Sequence, residues 1–371
     1  MANVRVELGS RSYEVRVVSG EGPAAFGRFA RLALEKSWAG RGCRSALVVT
    51  DENVAPFAGG YVEALLAQGI AAGLKVVPAG EGSKSLDRAG AIFDQLVAMR
   101  ADRHTCVVAL GGGVVGDLAG FVAATYARGL PLLMIPTSLL AMVDSSVGGK
   151  VGVNHPGAKN IIGAFHQPGG VWVDTDHLAT LPPRELRCGL AEVVKYGVIL
   201  DAPFFEFLEA EAPSIASGDP GLIRRIVARS CELKADVVTQ DEREETGVRA
   251  MLNFGHTIGH AIEAVSGYGG AFQHGEAVAA GMVLEARLAE RLGWVDAEVT
   301  KRIERLLRRF DLPVAAAGLD PNALVLAMGL DKKNRGGRIR FVLPRGIGRV
   351  ELAEPDDADI RAVLAERSGA E

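Results

Sequence analysis

Cysteine is scarce in this chain: Cys43, Cys106, Cys188 and Cys231 are scattered over 371 positions, and no CxxC occurs among them. This spacing speaks against a zinc knuckle and a disulfide framework, and it fits a reducing, cytoplasmic compartment. An excess of one charge is also missing, since Lys+Arg 41 stand against Asp+Glu 45 for a net charge of -4. No global field favours nucleic acid or an anionic membrane, so neither is expected as a partner, and any anion must be bound by local groups. No uninterrupted apolar stretch reaches spanning length, and the start, MANVRVELGSRSYEV, alternates like a strand instead of placing a basic leader before an apolar run. Neither secretion nor membrane insertion is expected. No internal repeat or low-complexity segment is found.

What is present is an ordinary globular composition, 48% hydrophobic and 23% charged, long enough for two domains. As far as residue 182, short β-rich runs alternate with helical patterns. They include RSALVVTDENV (44–54), AGLKVVPAGEGSKS (72–85), the strand, glycine turn and helix of HTCVVALGGGVVGDLAGFVAATY (104–126), LPLLMIPTSLL (130–140) and GGVWVDTDHLATLP (169–182). This alternation predicts an α/β N-terminal domain with a largely parallel sheet over 1–182. After Pro182 and Pro183 the patterns become long and amphipathic, as in LIRRIVARSCELKADVV and EVTKRIERLLRRF. A mainly α-helical C-terminal domain over 183–371 is predicted, with RIRFVLPRGIGRV (338–350) as a small hairpin or edge.

Five polar features carry chemistry. In ALGGGVVGDLAG, Gly111, Gly112 and Gly113 follow an apolar run, and a helix is expected to begin near Gly116 and Asp117. Such a turn lets backbone approach a phosphate at a helix N-terminus. Asp51, Asn53, Glu81, Lys84, Thr137 and Ser138 fall just past predicted strands, where open α/β sheets bind ligands. MVDSSVGGKVGVNHPGAKNIIGAFHQP (142–168) reads as a long loop, either solvated or functional, that contains Asp144 and whose Lys150, Lys159 and Asn160 could cradle a phosphate or carboxylate. Glu192 and Lys195 lie one turn apart, as a site pair or a surface ion pair. Finally, LNFGHTIGHAIE (252–263) sets His256 and His260 on one helical face, continued backward through Asn253 and Arg249. This face either lines a polar cavity or is a solvated stripe with incidental histidines; if a metal is bound, spacing alone makes 256 and 260 the ligand pair.

GGGVVGDLAGFVAATYARG, PTSLLAMVDSSVGGKVGVNHPGAKNIIGAFHQP, LRCGLAEVVKYG, RAMLNFGHTIGHAIE and HGEAVAAGM, in that order, resemble the 3-dehydroquinate synthase family of sugar-phosphate cyclases, from about residue 45 to about 350. The resemblance implies a nucleotide-binding N-terminal domain, a metal-binding C-terminal domain, NAD, one divalent metal (zinc or cobalt) and a homodimer. It implies conversion of 3-deoxy-D-arabino-heptulosonate 7-phosphate to 3-dehydroquinate: transient oxidation at C5, β-elimination of phosphate, re-reduction, ring opening and aldol closure. Other sugar-phosphate cyclases, and metal- and NAD-dependent polyol dehydrogenases, are the alternative.

By position in the family motifs, the metal ligands are implied to be Glu192, His256 and His274, which makes His260 a catalytic, substrate-contacting group instead. Lys150, Asn160 and Arg128 resemble phosphate contacts, with Arg128 supplied across a subunit interface, and Lys333 of DKKN resembles another. Arg249, Asn253 and Lys234 resemble a carboxylate-binding set, while Asp144 and Lys195 resemble groups orienting the substrate hydroxyls. The implied nucleotide contacts are Asp51, Asn53, Gly80, Glu81 and Lys84; Gly112, Gly113, Val114, Val115, Gly116 and Asp117; Thr137, Ser138, Lys150 and Lys159; and His177, Leu178, Ala179, Thr180, Leu181 and Glu185.

Overall fold

The structure, a computed structural model, describes residues 1–37, 42–267, 270–329 and 339–365. Lys333 lies outside the described residues. The chain divides into two compact units: residues 1–182 with Arg224–Arg243, and the remainder.

In chain order the first unit comprises β1 (Ala2–Val6), β2 (Tyr13–Val18), α1 (Gly22–Ser37), β3 (Ser45–Asp51), α2 (Ala55–Leu66) and β4 (Ala71–Val77). It continues with α3 (Leu86–Ala98), β5 (Thr105–Gly111), α4 (Gly113–Thr125), β6 (Leu132–Pro136), β7 (Lys150–His155), β8 (Ala158–Phe165) and β9 (Gly170–Asp174). Seven strands form one sheet in the order β1-β2-β9-β6-β5-β3-β4. Every neighbouring pair is parallel except β1 with β2. β5 is buried along its whole length, the mark of a strand covered on both faces. Trp172 of β9 packs against Phe26 and Phe29 of α1, and Phe26 meets Tyr61 of α2 edge to face at 5.3 Å. Each such burial contributes about 1.5–3 kcal/mol. β3 is flanked by β4 on one side and β5 on the other, so the strand order reverses between β3 and β5, where open α/β sheets form their ligand crevice.

The second unit carries α5 (Pro183–Leu200) and α6 (Ala202–Ala216); α7 (Pro220–Gln240) begins in it and lies mostly in the first unit. It resumes with α8 (His256–Val265), α9 (His274–Arg291), α10 (Ala297–Arg309) and α11 (Pro321–Gly329). It ends with the hairpin β10 (Phe341–Gly346) and β11 (Arg349–Ala353) and with α12 (Asp357–Ala365). Ile258, Ile262, Leu284, Leu288, Leu324 and Phe341 share its core. No helix among the described residues is long and apolar enough to cross a membrane.

Four expectations need correction. A single cut at 182 fails for Arg224–Arg243, which the first unit holds: Cys231 Sγ donates to Met142 O (3.3 Å), Lys234 pairs with Asp144, and Arg11 forms a two-point ion pair with Glu242 (2.5 and 2.7 Å). α4 starts at Gly113, three residues before the expected Gly116; Gly116 N already bonds Gly112 O at 3.0 Å, so the glycines turn strand directly into helix and Asp117 lies one turn inside. Residues 142–168 are no plain loop, because 150–165 folds into the antiparallel β7–β8 hairpin. Nor do Arg249, Asn253, His256 and His260 share one helix. Arg249–Asn253 form a separate 3₁₀ turn, and Gly255, at φ 79, breaks the chain before α8.

Candidate functional site

At the carboxyl end of the parallel sheet the residues singled out by sequence form local networks. Gly112 caps α4 without a side chain; a Cβ on Gly111 would lie 2.7 Å from Val115, so this turn closes only with glycine there. A narrow pocket is lined by Gly111, Gly112, Gly116, Ser145 and Ser146. Val114 is half-buried and Val115 buried. Thr137 N donates to Gly111 O at 3.0 Å, and Ser138 Oγ accepts from Ala141 N at 3.3 Å. Beside the turn, buried Lys84 reaches both Asp117 and Asn160. Burial pushes the Asp117 carboxyl above its ordinary range, and the Lys84 ammonium opposes this. Asn154 bridges the same network, donating to Glu81 at 2.7 Å and accepting from Asn160 N at 2.9 Å, with Asn160 held at φ 53.

Asp51 is less open than its place in the sequence suggests, because its carboxylate already accepts Asn53 N (2.9 Å) and Val54 N (3.1 Å) in a turn. Gly80 stands at φ 96 just before Glu81. Lys150 is exposed and Lys159 half-buried, at the two ends of the hairpin. His177, Leu178, Ala179 and Thr180 lie in one 3₁₀ stretch leading to Leu181; His177 Nε2 is 2.7 Å from Tyr61 OH, and burial holds its pKa below the usual imidazole range. Lys234 Nζ donates to Asp144 Oδ1 and to Asp144 O, both at 2.6 Å. Arg128 is exposed, and with Ala127 it occupies the left-handed region at φ 64 and 49, a strained pair for residues that are not glycine.

The second unit gathers the metal-type groups. Glu192, in the middle of α5, is wholly buried, and Lys195 one turn on meets its Oε2. Its Oε1 faces His256 Nε2 at 3.4 Å and His274 Nε2 at 3.6 Å. Each imidazole is pinned through its other nitrogen: His256 Nδ1 lies 3.1 Å from Phe254 O, and His274 Nδ1 lies 3.0 Å from Glu263 Oε2. With each ring neutral and its one proton on Nδ1, as a bound cation would require, both Nε2 lone pairs would face the same carboxylate oxygen, which is how second-layer partners orient ligands. Ligands about 2.0–2.1 Å from a tetrahedral zinc lie roughly 3.4 Å apart, so this donor set fits the ion in spacing and in chemistry. His256 and His274 differ electrostatically. Burial, aided by the Lys195 charge, drives His256 well below the usual range; burial also depresses His274, but Glu192 and Glu263 overrule it and raise it to about 10.

His260 is half-buried, its ring 5.4 Å from His256 and 6.2 Å from His274. Together with Glu263 and His274 it makes a second trio able to hold a cation. Arg249 is buried, and Asn253 Nδ2 donates to Ala250 O at 3.0 Å. Glu185, in the first turn of α5, accepts Gln273 Nε2 at 2.8 Å and so belongs to this unit. Glu263 is a member of the site that sequence reasoning missed, although the spacing 256, 260, 263 follows one helical face and could have found it. Gln273 and Glu276, which close a capping box at the start of α9 where His274 sits, were missed as well.

A glycine turn at the carboxyl end of a doubly wound sheet, and a buried carboxylate facing two pinned imidazoles in a helical unit, are the parts from which enzymes using a dinucleotide and a divalent metal are built. Residues 74–188 match the family described as 3-dehydroquinate synthase N-terminal, and residues 189–334 match 3-dehydroquinate synthase C-terminal. The chain belongs to the 3-dehydroquinate synthase family. It is 47% identical over 369 residues, 99% of this chain and 100% of the relative, to the 3-dehydroquinate synthase of Desulforamulus reducens. Among solved structures it resembles 2-deoxy-scyllo-inosose synthase complexed with carbaglucose-6-phosphate, NAD+ and Co2+, at TM-score 0.86 and 25% identity over 98% of this chain and 100% of that one. The 2-epi-5-epi-valiolone synthase of Streptomyces hygroscopicus subsp. jinggangensis, with NAD+ and Zn2+ bound, follows at TM-score 0.85 and 29% identity, covering 96% of this chain and 97% of that one.

Proposed function

We propose that this chain is a 3-dehydroquinate synthase, a phosphorus-oxygen lyase that converts 3-deoxy-D-arabino-heptulosonate 7-phosphate to 3-dehydroquinate and phosphate. The observation that carries the reading is the pairing of family membership with the Glu192–His256–His274 set, whose three ligand atoms lie within 4.8 Å of one another. Glu192, His256 and His274 hold a zinc or cobalt ion, and the glycine turn holds NAD, in line with the NAD+ and Co2+ or Zn2+ of the solved relatives. Bound together, the two supply a Lewis acid and a reversible hydride acceptor for a substrate hydroxyl.

The chain's own groups bind and orient. Arg249 and Asn253, with Lys234, take the carboxylate, for which a guanidinium fork is suited. Lys150, Asn160 and Arg128 take the phosphate, the last from the partner copy of a homodimer, and Lys333 is read as a further contact. Asp144 and Lys195 orient the hydroxyls. His260 moves a proton beside the metal without ligating it, a division supported by Glu192 Oε1, which faces His256 at 3.4 Å and His274 at 3.6 Å. Around NAD we place Asp51, Asn53, Gly80, Glu81 and Lys84, residues 112–117, Thr137, Ser138, Lys150, Lys159, residues 177–181 and Glu185. The enzyme works in the cytoplasm on a small-molecule sugar phosphate.

The test is an assay of purified protein with the heptulosonate phosphate, NAD and Zn2+, following phosphate and the carbocyclic product. Phosphate release with 3-dehydroquinate formed in equal amount is expected. No phosphate release, or a different carbocycle, would reject the assignment.

A further inference from the structure

The start of α8, where His256 stands, lacks the usual cap. Its N-cap is Gly255, which has no side chain to offer the exposed NH groups of the first turn. A polar side chain cannot be placed there: the backbone is left-handed at φ 79, and a Cβ would lie 2.4 Å from Met282 Cγ and 2.8 Å from Val278 O. The missing acceptor comes from the neighbouring helix. Glu285, on α9, is 0% exposed; its Oε2 accepts Gly255 N at 2.6 Å and its Oε1 accepts Ile258 N at 3.2 Å. These two donors bracket His256, and the residue before them, Phe254, supplies the carbonyl at 3.1 Å from His256 Nδ1. α8 and α9 touch through glycine at this level, since a Cβ on Gly281 would lie 2.1 Å from Gly255 O.

From this geometry we infer that Glu285 is a positioning residue for the metal centre, fixing the backbone on both sides of His256 and opposing the positive end of α8 with a buried negative charge. The inference rests on the reading of Glu192, His256 and His274 as the ligands. A helix N-terminus repels a cation bound at its first residue; a carboxylate seated against the same NH groups offsets that field, and a neutral amide of equal size does not. Glutamine at 285 also replaces one of the two acceptors with a donor, facing an NH.

Metal-free protein, prepared with a chelator, is titrated with Co2+ and followed by visible absorption, beside thermal unfolding of the same metal-free samples. Glu285→Gln is expected to weaken Co2+ binding about 10- to 100-fold, the range seen when outer partners of ligands are lost, and to alter the cobalt spectrum. A purely structural cap would lower the unfolding temperature of the metal-free variant yet leave cobalt affinity and spectrum unchanged, and that result overturns the proposal. Should Glu285→Gln fail to fold, Glu285→Asp keeps the charge but shortens the reach; weaker cobalt binding supports the proposal and wild-type affinity and spectrum refute it. If His256→Ala binds Co2+ as the unaltered chain does, the ligand assignment itself has failed; if only the Glu285 variants bind normally, the role of Glu285 alone falls.

Discussion

Two overlapping trios in the second unit make opposite forecasts for single histidines. Glu192, His256 and His274 form one, and His260, Glu263 and His274 the other. His274 belongs to both, so its loss cannot discriminate; His256 and His260 can. With the first trio as the metal site, His256→Ala deletes a coordination bond and should empty the site and abolish turnover together. His260→Ala should leave the metal in place, because the Glu192 Oε1 of that trio faces 256 and 274 at 3.4 and 3.6 Å. Loss of a proton-transfer group typically lowers turnover about 10² to 10⁴-fold. At about 1.4 kcal/mol per decade this is roughly 3–5 kcal/mol of transition-state stabilisation. The assay is metal content of both purified variants by elemental analysis, with phosphate release alongside and circular dichroism to show that both are folded. A metal-free His260→Ala beside a fully loaded His256→Ala would refute the ligand set and make the second trio the metal clamp.

Lys84→Met should remove the cation that opposes burial at Asp117, leaving a half-buried carboxylate without it; the cost stays below the about 3–5 kcal/mol of a fully buried pair and is read as a lower unfolding temperature. The sign with pH follows: an acid whose folded pKa is raised loses stability as pH rises through that pKa, so the deficit of Lys84→Met should shrink as pH is lowered towards the raised pKa, and a deficit that grows would contradict the network. Gly275→Ala places a Cβ 2.2 Å from Cys188 O and 2.4 Å from its Cα, forcing α9 away from α5. Since Glu192 and His274 sit on those two helices, metal affinity as well as stability should fall, by about 1–3 kcal/mol in the latter, and unchanged metal content would show that the helix contact does not set the site.

Much of this architecture is legible in the chain, and its illegible parts have local causes. β3, β5, β6 and β9 announce themselves as apolar runs because both faces of the sheet are covered, and Pro182-Pro183 marks a change of texture that coincides with the start of α5. The β7–β8 hairpin is hidden. Its strands approach so closely at Gly152 and Gly163 that a Cβ on either would lie 2.7 or 2.4 Å from the opposing carbonyl, and glycine at those positions erases the alternation that betrays a strand. The cohesion of Arg224–Arg243 with the first unit rests on long-range partners such as Asp144 and Arg11, which no window of sequence contains. In the site, the spacing of Glu192 to Lys195 places both on one helical face. Spacing alone selects His260 as the partner of His256, whereas the geometry brings His274, eighteen residues on and at the start of another helix, to the same carboxylate oxygen.

A net non-redox cyclisation and a dehydrogenase reaction can share this two-unit plan, and NAD stoichiometry separates them. The heptulosonate phosphate is supplied in large excess over NAD, and absorbance of NADH is recorded beside phosphate. A cyclase should release many phosphates per NAD with no accumulation of NADH. A rise in NADH equal to the substrate consumed, ending when NAD is exhausted, would contradict the cyclase assignment.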